Sequence, residues 1–306
     1  MIDKKIIIGS RGSKLALNYA ERAKNEIFSK LNIKEKNLEI KKITTEGDKI
    51  KDVRLSDTGG KGLFSKTIEN ELLNNKIDIA VHALKDMPSD ETSGLITNCF
   101  LERNDPREVL ISRDKKKFND LNKGSIIGTS SFRREFQFKR IRNDLKYKLI
   151  RGNVDTRIKK LNEKNFDAII LSFAGLHSLK LDQNITQIFS TSEIIPSAGQ
   201  GTIALQCREN DGEIIKILKK INHELTYKCV IAERDVLKTL NGDCETPVGV
   251  FANIKNNELN LETELFSLDG KDRFYESLST ELKNFKKIGL EVGTILKKKS
   301  KNSYKR

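Results

Sequence analysis

Two adjacent arginines open a predicted helix and raise the first chemical question of this sequence. The stretch GTSSFRREF, residues 128–136, follows the apolar residues Ile126 and Ile127 and places Arg133 and Arg134 in the first helical turn. The N-terminus of a helix carries partial positive charge, so a cation there is disfavoured by roughly 0.3–1 kcal/mol. Because guanidinium groups bind carboxylates and phosphates with paired hydrogen bonds, the pair indicates either an anion site or two solvated side chains.

Arginine is the minority cation of this chain, which makes its positions informative. The sequence has 57 basic residues, of which 16 are arginine and 41 are lysine. Lysine cannot supply the planar, forked hydrogen bonds of arginine. Arg151 and Arg157 flank a second turn, LIRGNVDTR, whereas Arg140 and Arg142 come late in a helical stretch and suit its dipole. Two strand-to-helix junctions that offer arginine and backbone N–H groups predict an anion site.

The segments around these junctions have the periodicity of an α/β fold. Residues 6–8 are predicted to form a strand, followed by the loop GSRGS and a helix from Ser13 onward. Residues 62–76 repeat the helical pattern, and residues 77–81 have the pattern of a short buried strand before the loop HALKDMPS. The segments SIIGTSS, YKLIRG and FDAIILSFAG then alternate with helical patterns, which predicts mostly parallel sheets.

In such sheets, ligands bind at the carboxyl ends of the strands. All of the candidate groups follow predicted strands: Arg11 with Ser13, Lys85 with Asp86, Arg133 with Arg134, and Arg151 with Arg157. After about residue 245 the pattern changes to three strands, VFANI, LNLETELFSL and RFYESLS, and a helix near residues 286–297. This predicts a smaller α+β domain, and we expect the final charge run LKKKSKNSYKR to be a frayed end.

Composition limits the class of protein. The formal charge is +14 and the hydrophobic content is 37%. No apolar run approaches the about 20 residues of a membrane span, and Ile6–Ile8 is too short for the core of a signal peptide. We therefore expect a cytoplasmic protein with no membrane partner. The basic charge leaves nucleic-acid binding as an alternative, but tryptophan is absent and no stacking aromatics accompany the lysines. We expect no nucleic-acid partner.

The four cysteines differ in their surroundings. They form no C-x-x-C pair, so neither a disulfide framework nor a metal site is indicated. Cys99 and Cys207 lie in strand-like stretches and Cys229 in a helical one, which predicts that they are buried. Cys244 lies in the polar turn NGDCETP, where its sulfur can be reached. Its acidic neighbours do not favour a thiolate, so the residues alone leave its role open.

An ordered set of motifs resembles the porphobilinogen deaminase family, also called hydroxymethylbilane synthase. The motifs are RGSKLAL, GGKGLF, HALKDMP, GTSSFRR, RGNVDTR, DAIIL-x-x-AGL, AGQG and NGDCETPVG. The resemblance runs from about residue 6 to residue 251. It implies two periplasmic-binding-protein-like lobes around a cleft and a smaller C-terminal domain. The implied limits are 1–101 with 202–219 for the first domain, 102–201 for the second and 220–306 for the third.

The resemblance also implies a reaction. The family joins four porphobilinogen molecules head to tail, with loss of ammonia, and releases hydroxymethylbilane for tetrapyrrole synthesis. The chain grows on a dipyrromethane cofactor bound through a thioether, which the match places at Cys244. The partners implied are porphobilinogen and the growing oligopyrrole, and the enzyme is expected to be a monomer. Since every pyrrole carries acetate and propionate groups, the anionic product explains the arginines.

Site residues follow from the same match. Asp86 matches the catalytic aspartate, which is placed to stabilise the cation left by loss of ammonia and to move protons. Lys61 and Phe64 match a mobile loop over the cleft, although Phe64 also fits a core position of the following helix. The residues expected to bind carboxylates of cofactor and substrate are Arg11, Ser13, Lys85, Thr129, Ser130, Ser131, Arg133, Arg134, Arg151, Gly152, Asn153, Arg157 and Gln200.

Three residues depart from the family pattern. Ser178 stands where an arginine is usual, so one carboxylate contact is lost or is taken over by His177 or Lys180. Tyr19 replaces a glutamine and Ala83 a serine. A two-lobed anion-binding protein without catalysis is the alternative of another class, and it would require neither Asp86 nor Cys244.

Overall fold

A computed structural model describes residues 5–31, 33–49, 62–243 and 246–305. Two of the predicted site residues, Lys61 and Cys244, lie outside the described residues. The strands are β1 Ile6–Arg11, β2 Leu38–Ile43, β3 Ile79–Ala83, β4 Leu95–Phe100, β5 Glu108–Ser112, β6 Ile126–Gly128, β7 Lys146–Lys148, β8 Ala168–Ser172, β9 Gln187–Ile188, β10 Ile203–Arg208, β11 Val248–Lys255, β12 Glu258–Phe266 and β13 Arg273–Glu281. The helices are α1 Lys14–Lys30, α2 Glu46–Lys49, α3 Lys66–Leu73, α4 Phe132–Ile141, α5 Val154–Asn162, α6 Phe173–Ser178, α7 Gly212–Ile221, α8 Glu224–Leu240 and α9 Phe285–Ser300.

The first lobe is built on a five-stranded sheet of order β2-β1-β3-β10-β4. β1 pairs in parallel with β2 and β3, and β10 runs antiparallel to both β3 and β4. Four strands therefore point the same way and β10 is reversed. Small and apolar residues of α1, among them Ala20, Ala23 and Ile27, are buried against this sheet.

The second lobe repeats this plan with the order β7-β6-β8-β5-β9. β6 pairs in parallel with β7 and β8, and the reversed strand is β5. The predicted mostly parallel sheets are confirmed, each with one reversed strand. No helix separates β4 from β5 in the described chain, so a crossing segment, rather than a βαβ unit, carries the chain into the second sheet.

The C-terminal part is an antiparallel sheet of order β11-β12-β13, packed against α8 and α9. The predicted α+β domain is confirmed, but the predicted frayed end is wrong. α9 continues to Ser300. Tyr304 is only 1% exposed, and its hydroxyl donates to the Leu240 carbonyl at 2.8 Å. Within the described ranges, no helix combines the length and apolar character needed to cross a bilayer.

Candidate active site

In the first lobe, two strand ends supply predicted site residues. β1 ends at Arg11, and Ser13 caps α1 by accepting a hydrogen bond from the Ala16 N–H at 3.3 Å. β3 ends at Ala83 and leads into a single 3₁₀ turn, Leu84–Asp86, which leaves Lys85 half-buried and Asp86 exposed. The parallel pairing of β1 with β3 brings both junctions to the same edge of the sheet.

Three of the four residues at these junctions line one pocket. Arg11, Ser13 and Asp86 share its wall with Phe64 and Tyr19. The ring of Phe64 lies 3.9 Å from the Arg11 guanidinium carbon, a cation–π contact. Because α3 begins only at Lys66, Phe64 lies before the helix and not in its interior. The structure thus places Phe64 over an anion-binding candidate.

His82 belongs to the same wall, and sequence reasoning did not single it out. Burial and the nearby Arg11 charge lower the pKa of His82 to about 4, despite its contact with Gln206 at 3.2 Å. A neutral imidazole beneath Arg11 adds no positive charge to the pocket at neutral pH. Of the two groups, the Asp86 carboxylate rather than His82 is therefore placed to stabilise a cation.

In the second lobe, β6 ends at Gly128 and a polar turn starts α4. The Thr129 hydroxyl accepts from the Ser131 N–H at 3.2 Å, and Ser131 caps α4 by accepting from the Arg134 N–H at 3.4 Å. Ser130 is half-buried between them. The predicted junction is confirmed in its local structure, while its contact with a ligand stays a prediction.

Arg133 and Arg134 have an internal partner that sequence reasoning missed. Glu108, the first residue of β5, is fully buried and lies 2.7 Å from Arg133 Nη2 and 2.8 Å from Arg134 Nη2. Burial alone would raise the pKa of Glu108, but Arg134, Arg133 and Lys85 lower it to about 2. The ionised carboxylate bonds both guanidinium groups and balances one of their two positive charges at the helix N-terminus. An acid inside the apolar run EVLIS was the signal available in the sequence.

Gln200 connects Glu108 to Lys85. Its amide nitrogen donates to Glu108 at 2.9 Å and to the Pro106 carbonyl at 2.6 Å, while its oxygen accepts from Lys85 Nζ at 3.4 Å. Gln200 is fully buried. Lys85 and Gln200, both expected at the cleft, therefore join the hydrogen-bond network around Glu108 and link the two lobes.

The last predicted junction follows β7. Gly152 has φ +112, a left-handed conformation that favours glycine, and Asn153 precedes the first residue of α5. Arg157 Nε donates to the Gly152 carbonyl at 2.8 Å, which fixes the guanidinium across the turn. Gly152 and Asn153 are exposed, whereas Arg151 and Arg157 are partly buried.

Cations of both lobes converge near Asp86. Burial and the charges of Arg134 and Arg151 lower the pKa of Arg157 to about 10, against the opposing effect of Asp86. Burial and Arg134 likewise lower the pKa of Lys85 to about 8, although Asp86 and Glu108 act in the other direction. Burial is the largest cause of both pKa shifts, and the positive charge of Arg134 is the next largest. The arrangement suits a ligand with several carboxylates beside one acid–base group.

Two family models match this chain. The one described as “Porphobilinogen deaminase, dipyromethane cofactor binding domain” matches residues 6–216, and “Porphobilinogen deaminase, C-terminal domain” matches residues 227–298. The chain belongs to the porphobilinogen deaminase family. It is accordingly a transferase of the hydroxymethylbilane synthase type, with a dipyrromethane cofactor.

Full-length relatives agree with this family. The porphobilinogen deaminase of Geobacillus sp. is 44% identical over 298 residues, which cover 96% of this chain and 94% of the relative. That of Alkaliphilus metalliredigens is 40% identical over 297 residues, covering 97% and 93%. Among solved structures, the periplasmic VFT2 domain of Bordetella pertussis BvgS aligns with a TM-score of 0.42 at 12% identity, covering 71% of this chain and 86% of that domain. The strand order, not this weak likeness, defines the two lobes.

Three cysteines of this porphobilinogen deaminase family member are poor candidates for cofactor attachment. Cys99, Cys207 and Cys229 are buried, as predicted, and carry free thiols. Burial raises their pKa values to about 12, 11 and 12. Because a neutral thiol is a weak nucleophile, the finding is consistent with attachment elsewhere. Attachment at Cys244 stays a prediction.

Two of the three residues that depart from the family pattern, Tyr19 and Ser178, meet where the lobes touch, while the third, Ala83, lines the pocket with Tyr19. Asn18 Nδ2 donates to the Ser178 carbonyl at 2.6 Å, which joins α1 to α6. Burial and the Asp86 charge raise the pKa of the adjacent Tyr19 to about 12, although its hydrogen bond with Ser178 acts in the other direction. His177 is exposed and contacts Asp182 at 2.9 Å, so it is engaged away from the pocket wall.

Proposed function

We propose that Asp86 and the cations around it condense porphobilinogen head to tail on a dipyrromethane held at Cys244. Four substrate molecules are joined, each with loss of ammonia, and hydroxymethylbilane is released. The placement of Arg157 and Lys85 beside Asp86, whose charge acts on both, carries this proposal. An anion-binding protein without catalysis would have a use for the cations, but not for an exposed carboxylate among them.

Positioning of the substrate is assigned to the strand ends. Arg11 and Lys85 of the first lobe, with Arg151 and Arg157 of the second, bind acetate and propionate groups by charge-assisted hydrogen bonds. Hydroxyl and amide groups supply further donors at Ser13, Thr129, Ser130, Ser131 and Asn153. Gly152 lets the backbone approach the ligand, and Arg133, Arg134 and Gln200 support this surface through Glu108.

Asp86 acts on the reacting atoms. Loss of ammonia from porphobilinogen leaves a delocalised cation, and the adjacent carboxylate stabilises it electrostatically. The same oxygens accept hydrogen bonds from the pyrrole N–H and remove the proton from the α-carbon once the new bond has formed. Phe64 covers this space and excludes water, and the family match assigns Lys61 to the same loop.

The cleft residues fit a carboxylated cofactor. Arg157 and Lys85 lie close enough to Asp86 for its charge to act on both, and cations at these positions suit acetate and propionate groups. When bound, dipyrromethane supplies the pyrrole carbon to which the first substrate unit is joined. Arg151 and Arg157 would hold its side chains.

Mass spectrometry tests the attachment. Protein from a host that makes porphobilinogen should be heavier than its sequence by two condensed pyrrole units after denaturation, with the added mass in the peptide NGDCETP. Ehrlich's reagent should colour the protein. Cys244→Ala should lack both signals and be inactive, while Cys99→Ala, Cys207→Ala and Cys229→Ala retain them. A bare-sequence mass in active enzyme would contradict the proposal.

We further propose a cytoplasmic monomer with domain limits 1–101 and 202–219, 102–201, and 220–306. The position of β10 in the first sheet supports the return of the chain to the first domain. Light scattering on the purified enzyme would test the monomer. A mass twice that of the 34.8 kDa chain would contradict it.

A further inference from the structure

A second pocket lies apart from the cleft, between α4 of the second lobe and the β12–β13 turn of the C-terminal domain. Its volume is about 250 Å³. It shares no residue with the pocket around Asp86. Its side chains are Phe136, Lys139 and Arg140 from α4, and Phe266, Lys271 and Arg273 from the hairpin.

Aromatic rings form the apolar wall of this pocket. Phe136 and Phe266 are both buried, with ring centroids 5.8 Å apart at 57°. The hairpin turn rests on Phe136 at Gly270, whose φ is +72 and whose added Cβ would lie 2.6 Å from the ring. Only glycine meets both conditions, so the turn and the ring fix the shape of the wall.

Two guanidinium groups are oriented over this wall by one buried carboxylate. Glu264 is 1% exposed, and its Oε1 lies 3.3 Å from Arg140 Nε and also bonds Arg273 Nε. Both bonds use Nε. The Nη atoms of these arginines make no hydrogen bond within the described part of the chain, and both side chains are about two-fifths exposed, at 42% and 41%. Each fork therefore keeps donors for a second acceptor.

The remaining charges favour an anion. Lys139 contacts Glu135 at 2.7 Å on α4, and Lys271 lies 3.5 Å from Asp269. The Ser267 hydroxyl and the Lys271 N–H both donate to the same Asp269 oxygen, at 2.6 and 3.1 Å. Asp269 is thus already bonded within the turn. The four lining cations are paired with three acids, Glu135, Glu264 and Asp269, which leaves one positive charge over.

We propose that this pocket binds a small, flat aromatic carboxylate. Its ring packs on Phe136 and Phe266, and its carboxylate accepts hydrogen bonds from the Nη atoms of Arg140 and Arg273. The rings supply offset aromatic contacts and the two forks supply charge-assisted hydrogen bonds. Phe136 also stacks on Phe132, with ring centroids 5.8 Å apart at 28°, and an aromatic ligand would extend this group of rings. An inorganic anion would use the forks but would make no contact with the rings.

Calorimetry on the holoenzyme with 1-naphthoate tests the site. Its neutral amide, 1-naphthamide, removes the charge, and acetate removes the ring. Both should bind at least roughly tenfold more weakly, a difference of about 1.4 kcal/mol. Equal binding of naphthoate and acetate would mean that the rings take no part, and equal binding of naphthoate and naphthamide would mean the same of the arginines. Either result overturns the proposal.

Variants of the two pockets test where 1-naphthoate binds. Arg140→Lys with Arg273→Lys keeps cations beside Glu264 but removes the forks, and should weaken naphthoate binding roughly tenfold. The control Arg113→Lys should bind like the parent. Arg151→Lys, in the cleft, should also leave this affinity unchanged, and a loss there would place the ligand in the cleft and refute the proposal. If the double variant does not fold, Phe136→Leu gives the same test, because it removes the ring contact while keeping an apolar side chain.

Discussion

The two lobes share a strand order but differ in the polar groups beneath their binding surfaces. In the first lobe, the reversed strand β10 carries Gln206, which contacts the neutral His82. In the second lobe, the reversed strand β5 carries the ionised Glu108 between Arg133 and Arg134. Hydrogen bonds from His82 through Gln206 to the buried Glu69 underlie the lobe that presents Asp86, whereas a cluster of three buried charges underlies the α4 junction of the second lobe.

This difference predicts which substitutions affect folding and which affect turnover. A buried ion cluster contributes little net stability when complete, but removal of one partner leaves uncompensated charge. Changes in the second-lobe cluster should therefore act first on folding. A change at exposed Asp86 should act on turnover and leave folding intact.

The largest effect should follow Glu108→Gln. Two buried guanidinium groups lose their carboxylate, so the free energy of unfolding should fall by about 3–5 kcal/mol. Urea denaturation at neutral pH measures it. Glu209→Gln, an exposed acid just beyond β10, is the matched control and should change stability by no more than about 0.5 kcal/mol. Equal stability of Glu108→Gln and the parent would refute the role of the cluster.

The effect of Glu108 should depend on pH with a defined sign. Its folded pKa of about 2 is below the ordinary value of 4.5, so the folded state favours the ionised form. The stabilisation is complete above the unfolded pKa and is lost as pH falls through the folded one. The difference between parent and Glu108→Gln should therefore narrow between pH 4.5 and about 2. A difference that stays constant over this range would mean that charge is not its source.

The next effect should follow Asp86→Asn. Turnover should slow by at least about 100-fold, the lower range for a positioned acid–base group, while the cofactor mass and the midpoint of unfolding stay near those of the parent. Asp90→Asn, an exposed acid of the same loop, should keep full turnover. Near-normal product formation by purified Asp86→Asn would exclude Asp86 from the mechanism.

The sequence predicted the strand ends well because local signals determine them. Ser13 and Ser131 are both helix caps, and each follows a β-rich stretch. Strand limits were less exact: residues 77–81 were predicted, while β3 is Ile79–Ala83. The strand extends into the HALKDMP motif because β10 supplies its partner, and a long-range pairing has no local signature.

Glu108 shows why the rest could not be predicted. Its partners Arg133 and Gln200 are distant in the sequence, and only the packing of β5 beside α4 brings them together. The sequence indicated an anion for Arg133 and Arg134 but did not reveal that the protein itself supplies one. The prediction of a frayed end was wrong for a similar reason. Tyr304 is buried and bonds the Leu240 carbonyl, and this outweighs the charged run around it.

A pair of conservative changes should separate the two classes of arginine. Arg151→Lys keeps the charge but loses the fork, so cofactor assembly or substrate binding should weaken roughly tenfold with unfolding unchanged. Arg133→Lys should instead lower the free energy of unfolding, because Arg133 also donates to the Ile195 carbonyl at 3.0 Å. Arg113→Lys, at a half-buried arginine paired with Asp114 and Asp167, is the control for cofactor assembly and substrate binding. If both site variants assemble holoenzyme and turn over like the parent, charge attraction alone is enough at these positions and the forked hydrogen bonds of arginine are not needed.

The smallest effect should follow Ser178→Arg, at the contact between the lobes. Ser178 ends α6, where a cation suits the helix dipole, and its side chain is only half-buried. The added guanidinium lies near the pocket that holds Tyr19 and Asp86, so substrate affinity should rise by a few-fold, about 0.3–1 kcal/mol. The gain should shrink in high salt because a half-exposed charge is screened. Ser29→Arg, exposed at the far end of α1, adds the same charge away from the pocket and should leave the affinity unchanged. Equal affinities for Ser178→Arg and the parent would mean that the Asn18–Ser178 contact, rather than charge, determines this edge of the cleft.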